Sequence, residues 1–160
     1  MAFNHFDANG QAIMVDVSGK TPTLRIAVAE ATVRMSSATL AAIVDGRISK
    51  GDVLSVARLA GIAAAKKTPE LIPLSHPLAI HYAGIDFTTD AAAGTIVAAA
   101  TVKAFERTGM EMEAMVAASV AALTIYDMCK GTDNSIVIGE VSLLYKEGGK
   151  SGTYRRGDEP

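Results

Sequence analysis

The chain has 160 residues, of which 49% are hydrophobic and 5% aromatic, and its formal net charge is −2. This length and apolar content correspond to one ordinary domain with its own core and exclude global disorder. The small negative charge provides no basic field that would attract nucleic acid or an anionic membrane, so neither is an expected partner. An anionic ligand would have to meet a local cluster of basic side chains.

Features of the sequence that report on compartment are few but consistent. The single cysteine, Cys129, cannot form an internal disulfide, which favours a reducing compartment. The first residues show no basic segment followed by an apolar run, so no signal peptide is expected. The longest uncharged stretch of the C-terminal half, 114–126, is shorter than the roughly 20 residues that span a bilayer. These features predict a cytoplasmic protein.

Hydrophobic periodicity and turn signals predict the following elements in chain order: a strand at 23–35, helices at 38–45 and 53–66, a helical turn from Thr68, strands at 78–89 and 95–105, a helix ending at Lys130, and a strand at 135–146. A polar segment with turn residues predicts a mobile N-terminal arm over 1–22. A Gly-rich segment predicts a flexible tail over 147–160. A single domain is then expected over 23–146.

The long helix near the C-terminus has clear boundary signals. Thr108, followed three residues later by Glu111, is a capping-box pattern that predicts the start, and Gly131 predicts the stop. From 114 to 126 the helix carries apolar or small residues on nearly every side, which is typical of a helix covered on two sides. One side can face the sheet of its own domain, and the other is expected to face a neighbouring subunit.

The element order β-α-α-β-β-α-β matches the split β-α-β plan of ferredoxin-like domains. We therefore expect an α+β fold that is ferredoxin-like, with a four-stranded antiparallel sheet and helices packed on one face.

The first candidate functional segment is rigid. Pro73 and Pro77 flank Leu74, Ser75 and His76 and hold the backbone in a stiff, non-helical conformation. His76 is thereby placed for ligand binding or acid–base chemistry. A rigid connector whose histidine only caps a turn explains the same residues, and the segment alone slightly favours that interpretation.

The long helix carries the second candidate group. Asp127 lies near its C-terminus, where a carboxylate opposes the helix dipole, and its sequence neighbours are apolar. Lys130 follows three residues later on the same face. Desolvation would raise the pKa of Asp127 unless a cation compensates, and carboxylates perturbed in this way are candidates for functional sites. An ordinary ion pair is the alternative. Glu113, at the other end, is also explained as a first-turn carboxylate favoured by the dipole.

The remaining candidates are lysines: Lys50 before the second helix, Lys66 and Lys67 at its end, and Lys146 and Lys150 beside two glycines. Exposed lysine is common, so each is weak evidence alone. The Gly-rich tail could wrap a phosphate with backbone N–H groups and an ammonium group. The sequence contains no P-loop, no dinucleotide-binding fingerprint and no Cys/His spacing for a metal, so we predict neither cofactor nor metal.

Several segments occur together in an order that is far more specific than any one of them: Met14-Val15-Asp16-Val17-Ser18, Lys50-Gly51-Asp52-Val53, Ala57-Arg58-Leu59-Ala60-Gly61-Ile62, Leu71-Ile72-Pro73-Leu74-Ser75-His76-Pro77-Leu78, Thr108-Gly109-Met110-Glu111-Met112-Glu113-Ala114, Ala121-Ala122-Leu123-Thr124-Ile125-Tyr126-Asp127-Met128-Cys129-Lys130 and Gly148-Gly149-Lys150-Ser151-Gly152. On these motifs the chain resembles the cyclic pyranopterin monophosphate synthases, the MoaC family, over about residues 12–152.

The resemblance implies a ferredoxin-like subunit assembled as a homohexamer, a trimer of dimers. It implies that 3′,8-cyclo-7,8-dihydroguanosine 5′-triphosphate is converted to cyclic pyranopterin monophosphate and pyrophosphate in molybdenum cofactor biosynthesis. Residue by residue, it implies catalytic roles for Asp127, Lys50 and Lys130. It implies substrate contacts at Leu74, Ser75, His76, Met112 and Glu113, with Lys146 as a further functional lysine. To the substrate-binding group we add Lys66, Lys67 and Lys150.

Two positions depart from the family pattern. Ser75 stands where the family usually has a cysteine, and the hydroxyl lacks the soft, acidic character of a thiol. Arg107 stands where a lysine is expected, which keeps the charge. Ser75 gives some weight to an alternative function, a non-catalytic ferredoxin-like module that binds a nucleotide or pterin. Asp127 and Lys130 argue against it, because a pure binder has little reason to place a carboxylate there.

Overall fold

The computed structural model describes residues 6–7, 9–150 and 152–158. In chain order these residues form β1 (Thr23–Arg34), α1 (Ser37–Val44), α2 (Val53–Ala65), α3 (Thr68–Leu71), β2 (Tyr82–Asp90), β3 (Thr95–Glu106), α4 (Glu111–Cys129), β4 (Val137–Glu147) and β5 (Tyr154–Arg155). The strands build one open antiparallel sheet in the order β2-β3-β1-β4-β5.

The core lies between one face of this sheet and the two longer helices. Every second residue of β1 from Ala27 to Val33, and of β3 from Ile96 to Ala104, is fully buried. Because side chains alternate across a strand, these residues share one face. Most of them are alanines, which lets α4 lie close to the strands, and α2 packs beside α4 and against β2.

Helices α2 and α4 pack closely against each other at Gly61. A Cβ atom on Gly61 would lie 2.7 Å from the carbonyl oxygen of Ala117 and 3.3 Å from Cβ of Ala121, and it would collide with the Ile85 side chain. The α4 backbone therefore occupies the space that a side chain at residue 61 would need. This contact fixes the distance between the helix that carries Asp127 and the helix that follows Lys50.

We expect Gly61→Ala to lower the free energy of unfolding by about 1–3 kcal/mol, because a methyl group forces two packed helices apart. Alanine's higher helix propensity, worth about 1 kcal/mol over glycine, acts in the opposite direction. Urea unfolding measures the difference in free energy of unfolding between the variant and the natural chain. The matched control is Gly131→Ala, since no atom of the residues that the structure describes lies within 4 Å of a Cβ placed there. An unchanged or raised stability for Gly61→Ala would contradict the close packing.

The structure confirms the predicted α+β class and corrects the strand number from four to five. The additional strand, β5, pairs with Tyr145 and Lys146 of β4 and lies in the segment predicted as a tail. The guanidinium of Arg155 in β5 lies over the Tyr145 ring, 4.7 Å from its centroid, in a cation–π contact. A strand of two residues shows no alternation long enough to be recognised from sequence.

Two predicted element starts were also wrong. The second strand begins at Tyr82 and not at Leu78, because regular pairing with β3 starts at Tyr82 and the N–H of Ala79 donates to the Glu106 side chain instead of to a strand carbonyl. Helix α4 begins at Glu111, its N-cap is Met110, and no side chain of the described residues caps it. The predicted capping box therefore does not form: the Glu111 carboxylate accepts a hydrogen bond from Lys146 of β4 instead.

Helix α4 is long and apolar enough to cross a membrane by length and composition alone, the one such helix in the described part of the chain. However, 56% of its apolar window is buried inside the domain. It contacts β1, β3, β4 and α2. A core helix meets the same criterion, so we assign α4 to the core. Its outward side keeps exposed apolar residues, including Met112 and Leu123.

Candidate active site

The C-terminal end of α4 places one carboxylate between two ammonium groups. Nζ of Lys130 lies 2.7 Å from Oδ1 of Asp127, and Nζ of Lys50 lies 3.3 Å from Oδ2. Lys50 also donates a hydrogen bond of 2.6 Å to the backbone carbonyl of Asp127. The helical spacing brings Lys130 to Asp127, as predicted. Lys50 lies in the loop before α2, far from Asp127 in sequence, and only the tertiary fold places it beside Asp127.

The two lysines control the charge of Asp127. The hydrogen bond from Lys130 and then that from Lys50 hold the pKa of the Asp127 carboxyl below its usual value. The side chain is 58% exposed, so desolvation is weak and the compensating cations prevail. In return, the hydrogen bond from Lys130 to Asp127 raises the pKa of the Lys130 ammonium. An ionised carboxylate that can accept a proton thus lies beside an ammonium group that can donate one.

Glu113, in the first turn of α4, has a very different environment. The residue is only 2% exposed, and its Oε1 has no hydrogen-bond partner among the described residues. Burial raises the pKa of Glu113 to about 7, and the nearby charge of Glu111 acts in the same direction. A carboxyl group that titrates close to neutral pH can both give and take a proton under ordinary conditions. The sequence pattern did not predict this burial.

A cavity of about 710 Å³ opens where the start of β1, the segment before α4 and the end of β4 meet. Its lining includes two acidic residues, Glu111 and Glu147, and five basic ones: Lys20, Arg25, Arg107, Lys146 and Lys150. The basic residues outnumber the acidic ones, so the cavity is locally positive although the whole chain is not. Such a cavity suits a polyanionic ligand.

Arg25 builds the wall of this cavity. Its guanidinium donates hydrogen bonds to the backbone carbonyls of Glu106, Arg107 and Gly148, at 3.1, 3.3 and 3.0 Å. A Cβ atom on Gly149, where φ is +74°, would collide with the same guanidinium. The glycines of the predicted phosphate-binding tail are therefore needed so that the backbone can fold around Arg25. Sequence analysis did not identify Lys20 or Arg25, because neither lies in a recognisable local motif.

His76 makes a hydrogen bond away from both the Asp127 cluster and the basic cavity. Its Nε2 lies 2.7 Å from the carbonyl oxygen of Val15, in the segment predicted as a mobile arm. Ser75 and His76 are half-buried, whereas Leu74 is exposed. Within the part of the chain that the structure describes, no hydrogen bond joins His76 to Asp127.

The predicted site residues therefore fall into separate groups in this chain. Lys50, Asp127 and Lys130 come together, and Lys146 and Lys150 line the cavity. Lys66 and Lys67 are exposed at the end of α2 and line no part of that cavity. Across residues 6–7, 9–150 and 152–158, no group of three His, Cys, Asp or Glu side chains is placed to hold a metal ion.

Comparison with known proteins covers nearly the whole chain. The family model described as MoaC family matches residues 14–149. A cyclic pyranopterin monophosphate synthase of Geotalea uraniireducens is 74% identical over 159 residues, which is 99% of each chain. The proteins of the same name from Geobacter sulfurreducens and Geobacter metallireducens are 72% and 71% identical. They cover 98% and 100% of this chain, and the matches span 98% and 99% of those proteins.

Proposed function

Because the chain belongs to the MoaC family, we propose that it is a cyclic pyranopterin monophosphate synthase of molybdenum cofactor biosynthesis. It converts 3′,8-cyclo-7,8-dihydroguanosine 5′-triphosphate to cyclic pyranopterin monophosphate and releases pyrophosphate. The observation that carries this proposal is the identity of 74% with a protein of that name over 99% of both chains. Incubating the purified protein with the cyclised substrate, and measuring pyranopterin and pyrophosphate, tests it directly.

The cavity between β1, β4 and the start of α4 is the proposed binding site for the triphosphate. Lys20, Arg107, Lys146 and Lys150 bring positive charge to it, while Arg25 shapes its wall. Charged donors that are already in place stabilise the negative charge that develops on pyrophosphate as it leaves. Lys146 is held by Glu111 at 3.0 Å, which orients the ammonium group before substrate arrives.

The lysine–aspartate cluster is the proposed centre of proton transfer. Asp127 is the proposed general base, since two cations keep it ionised, and Lys130, whose ammonium group lies 2.7 Å away, is the proposed acid. Lys50 holds the carboxylate and its backbone carbonyl, so it fixes where the base points. Rearranging the purine-derived ring requires several proton transfers, and a base next to an acid can provide them in sequence.

Substrate contacts at the remaining predicted positions complete the proposal. Glu113, His76 and Ser75 are proposed to meet the ring system, together with the exposed side chains of Leu74 and Met112. Lys66 and Lys67 are kept as candidates for the phosphates. In a single subunit these residues lie in separate groups, so the proposed site is completed by a second copy of the chain.

We also propose a ferredoxin-like architecture, a homohexamer and a cytoplasmic location, with no nucleic-acid or membrane partner. The strand order β2-β3-β1-β4 supports the architecture, since it is the split β-α-β arrangement with β5 added at one edge. The exposed pair Leu24 and Phe105, neighbours across β1 and β3 on the face away from the helices, supports an assembly. The division into an arm at 1–22, a domain at 23–146 and a tail at 147–160 remains a proposal.

We expect Ser75→Cys to fold and to turn over substrate at least as fast as the natural chain. The backbone N–H of Ser75 already closes a turn on the Ile72 carbonyl at 3.0 Å, and cysteine makes the same turn with a similar volume. Ser75→Ala is the matched control, because it removes the polar atom at nearly constant shape. Steady-state turnover and thermal melting check both variants. A folded Ser75→Cys protein without activity would favour the alternative function, a non-catalytic nucleotide- or pterin-binding module.

A further inference from the structure

The contact between His76 and the N-terminal segment determines where the histidine proton lies. The Val15 carbonyl oxygen, 2.7 Å from His76 Nε2, can only accept a hydrogen bond, so the ring nitrogen must donate. In the neutral imidazole this places the proton on Nε2 and leaves Nδ1 as the unprotonated acceptor. Pro73 and Pro77 stiffen the backbone on both sides of His76, so the ring meets Val15 from a rigid support.

The segment that follows Val15 is held in place by a short series of hydrogen bonds. Oδ1 of Asp16 accepts from the backbone N–H of Ser18 at 2.8 Å, which closes a turn directly after Val15. The Val17 carbonyl then accepts from Lys20 N–H at 3.0 Å. Finally, Nε of Arg107 donates to the Lys20 carbonyl at 3.1 Å. The segment thus runs from His76 to the wall of the basic cavity, and it is anchored at both ends.

We propose that Val15 and Asp16 are positioning residues that fix His76 as its Nε2-protonated tautomer and so present Nδ1 as a proton acceptor to the substrate. Val15 acts through its carbonyl, and Asp16 acts by closing the turn that holds that carbonyl. Neither side chain touches a reacting atom. The inference rests on the proposed function in one respect, namely that His76 meets the substrate.

Asp16 offers a substitution that tests the chain of contacts without changing His76. Asp16→Ala removes the acceptor for Ser18 N–H, whereas Asp16→Asn keeps an oxygen at the same position and should preserve the turn. Asp7→Ala is the matched control. Asp7 closes a similar turn in the same segment, accepting from Asn9 and Gln11 N–H at 2.8 Å, but neither hydrogen bond involves Val15 or the residues that follow it.

The first readout is the tautomer itself. Two-bond ¹H–¹⁵N correlation spectra of the full-length protein with ¹⁵N-labelled histidine, recorded at pH 8 without substrate, distinguish a protonated Nε2 from a protonated Nδ1. The chain has three histidines, and loss of one set of signals in His76→Gln assigns the set of interest. We expect the Nε2-protonated pattern in the natural chain, in Asp16→Asn and in Asp7→Ala. In Asp16→Ala we expect exchange-averaged signals that reflect both tautomers.

The second readout is turnover of the cyclised substrate. We expect kcat/KM of Asp16→Ala to fall on the order of tenfold, with Asp16→Asn and Asp7→Ala close to the natural chain. An unchanged His76 spectrum in Asp16→Ala would overturn the positioning role, as would a changed spectrum with unchanged turnover. Failure of the proposed function looks different: the natural chain would show the Nε2-protonated pattern and no turnover. That result would support the assigned His76 tautomer but would show that the tautomer has no role in this reaction.

Discussion

Asp127→Asn is expected to reduce product formation on the order of 10²-fold or more while the protein stays folded. The amide has nearly the shape of the carboxylate, so packing at the end of α4 should survive. It cannot take up a proton, and it no longer carries the negative charge that lies 2.7 Å from Lys130 and 3.3 Å from Lys50. The substitution therefore removes the proposed base and, at the same time, the carboxylate that pairs with Lys130, the proposed acid.

Single-turnover assays beside thermal melts and sedimentation separate catalysis from stability for this variant. Asp86→Asn is the matched control, because Asp86 is an exposed aspartate whose nearest cation, Arg58, is 3.9 Å away. A structural Asp127 would give a lower melting temperature, with normal turnover in the fraction that remains folded. Near-normal turnover by a folded Asp127→Asn protein would remove Asp127 from the mechanism, although the family assignment would stand.

Glu113→Gln is expected to lower the rate on the order of 10²-fold and, at the same time, to raise stability above pH 7. Burial raises the pKa of Glu113 from 4.5 to about 7 in the folded protein. The folded state therefore binds more protons than the unfolded state between these two values. The contribution of Glu113 to stability is therefore fully present below pH 4.5 and is lost as the pH rises through 7. Glutamine at residue 113 stays neutral at every pH, so the variant does not lose this stability when the pH rises.

Urea unfolding at pH 4 and pH 8 checks the stability half of that prediction. At pH 8 the free energy of unfolding of Glu113→Gln should exceed that of the natural chain by up to about 3 kcal/mol, the equivalent of the pKa shift. At pH 4 the two proteins should be alike. Glu140→Gln, at an exposed position of β4, should show no pH-dependent difference. Equal stability of Glu113→Gln and the natural chain at both pH values would contradict the burial of an unpaired carboxylate.

Several features of the fold and site that depend on residues close together in sequence were predicted correctly from local patterns. The pairing of Asp127 with Lys130 follows from helical spacing, and the structure places their charged atoms 2.7 Å apart. The α+β class follows from alternating strands and periodic helices, and most element bounds agree to within a few residues. The family was recognised because its motifs occur in a fixed order over most of the chain. Each helix, strand and motif behind these predictions is recognised within a short stretch of sequence.

Features that join distant segments were not predictable in this way. Lys50 reaches Asp127 only because α2 packs on α4 at Gly61, and Lys20 and Arg25 join Lys146 only because β1 pairs with β4. The burial of Glu113 depends on the elements that cover the start of α4. The local signal at Glu111 was misleading. Its position predicted a capping box, but its carboxylate pairs with Lys146 of β4 instead.

The central claim is that this chain converts the cyclised guanosine triphosphate to a pyranopterin. The most direct test mixes excess purified protein with that substrate and follows substrate, pyranopterin and pyrophosphate in one turnover, with Asp127→Asn as the inactive control. The account predicts that each substrate consumed gives one cyclic pyranopterin monophosphate and one pyrophosphate, and that the variant gives neither. Substrate that binds the natural chain and is recovered unchanged would contradict it, and would identify the protein as a binding module.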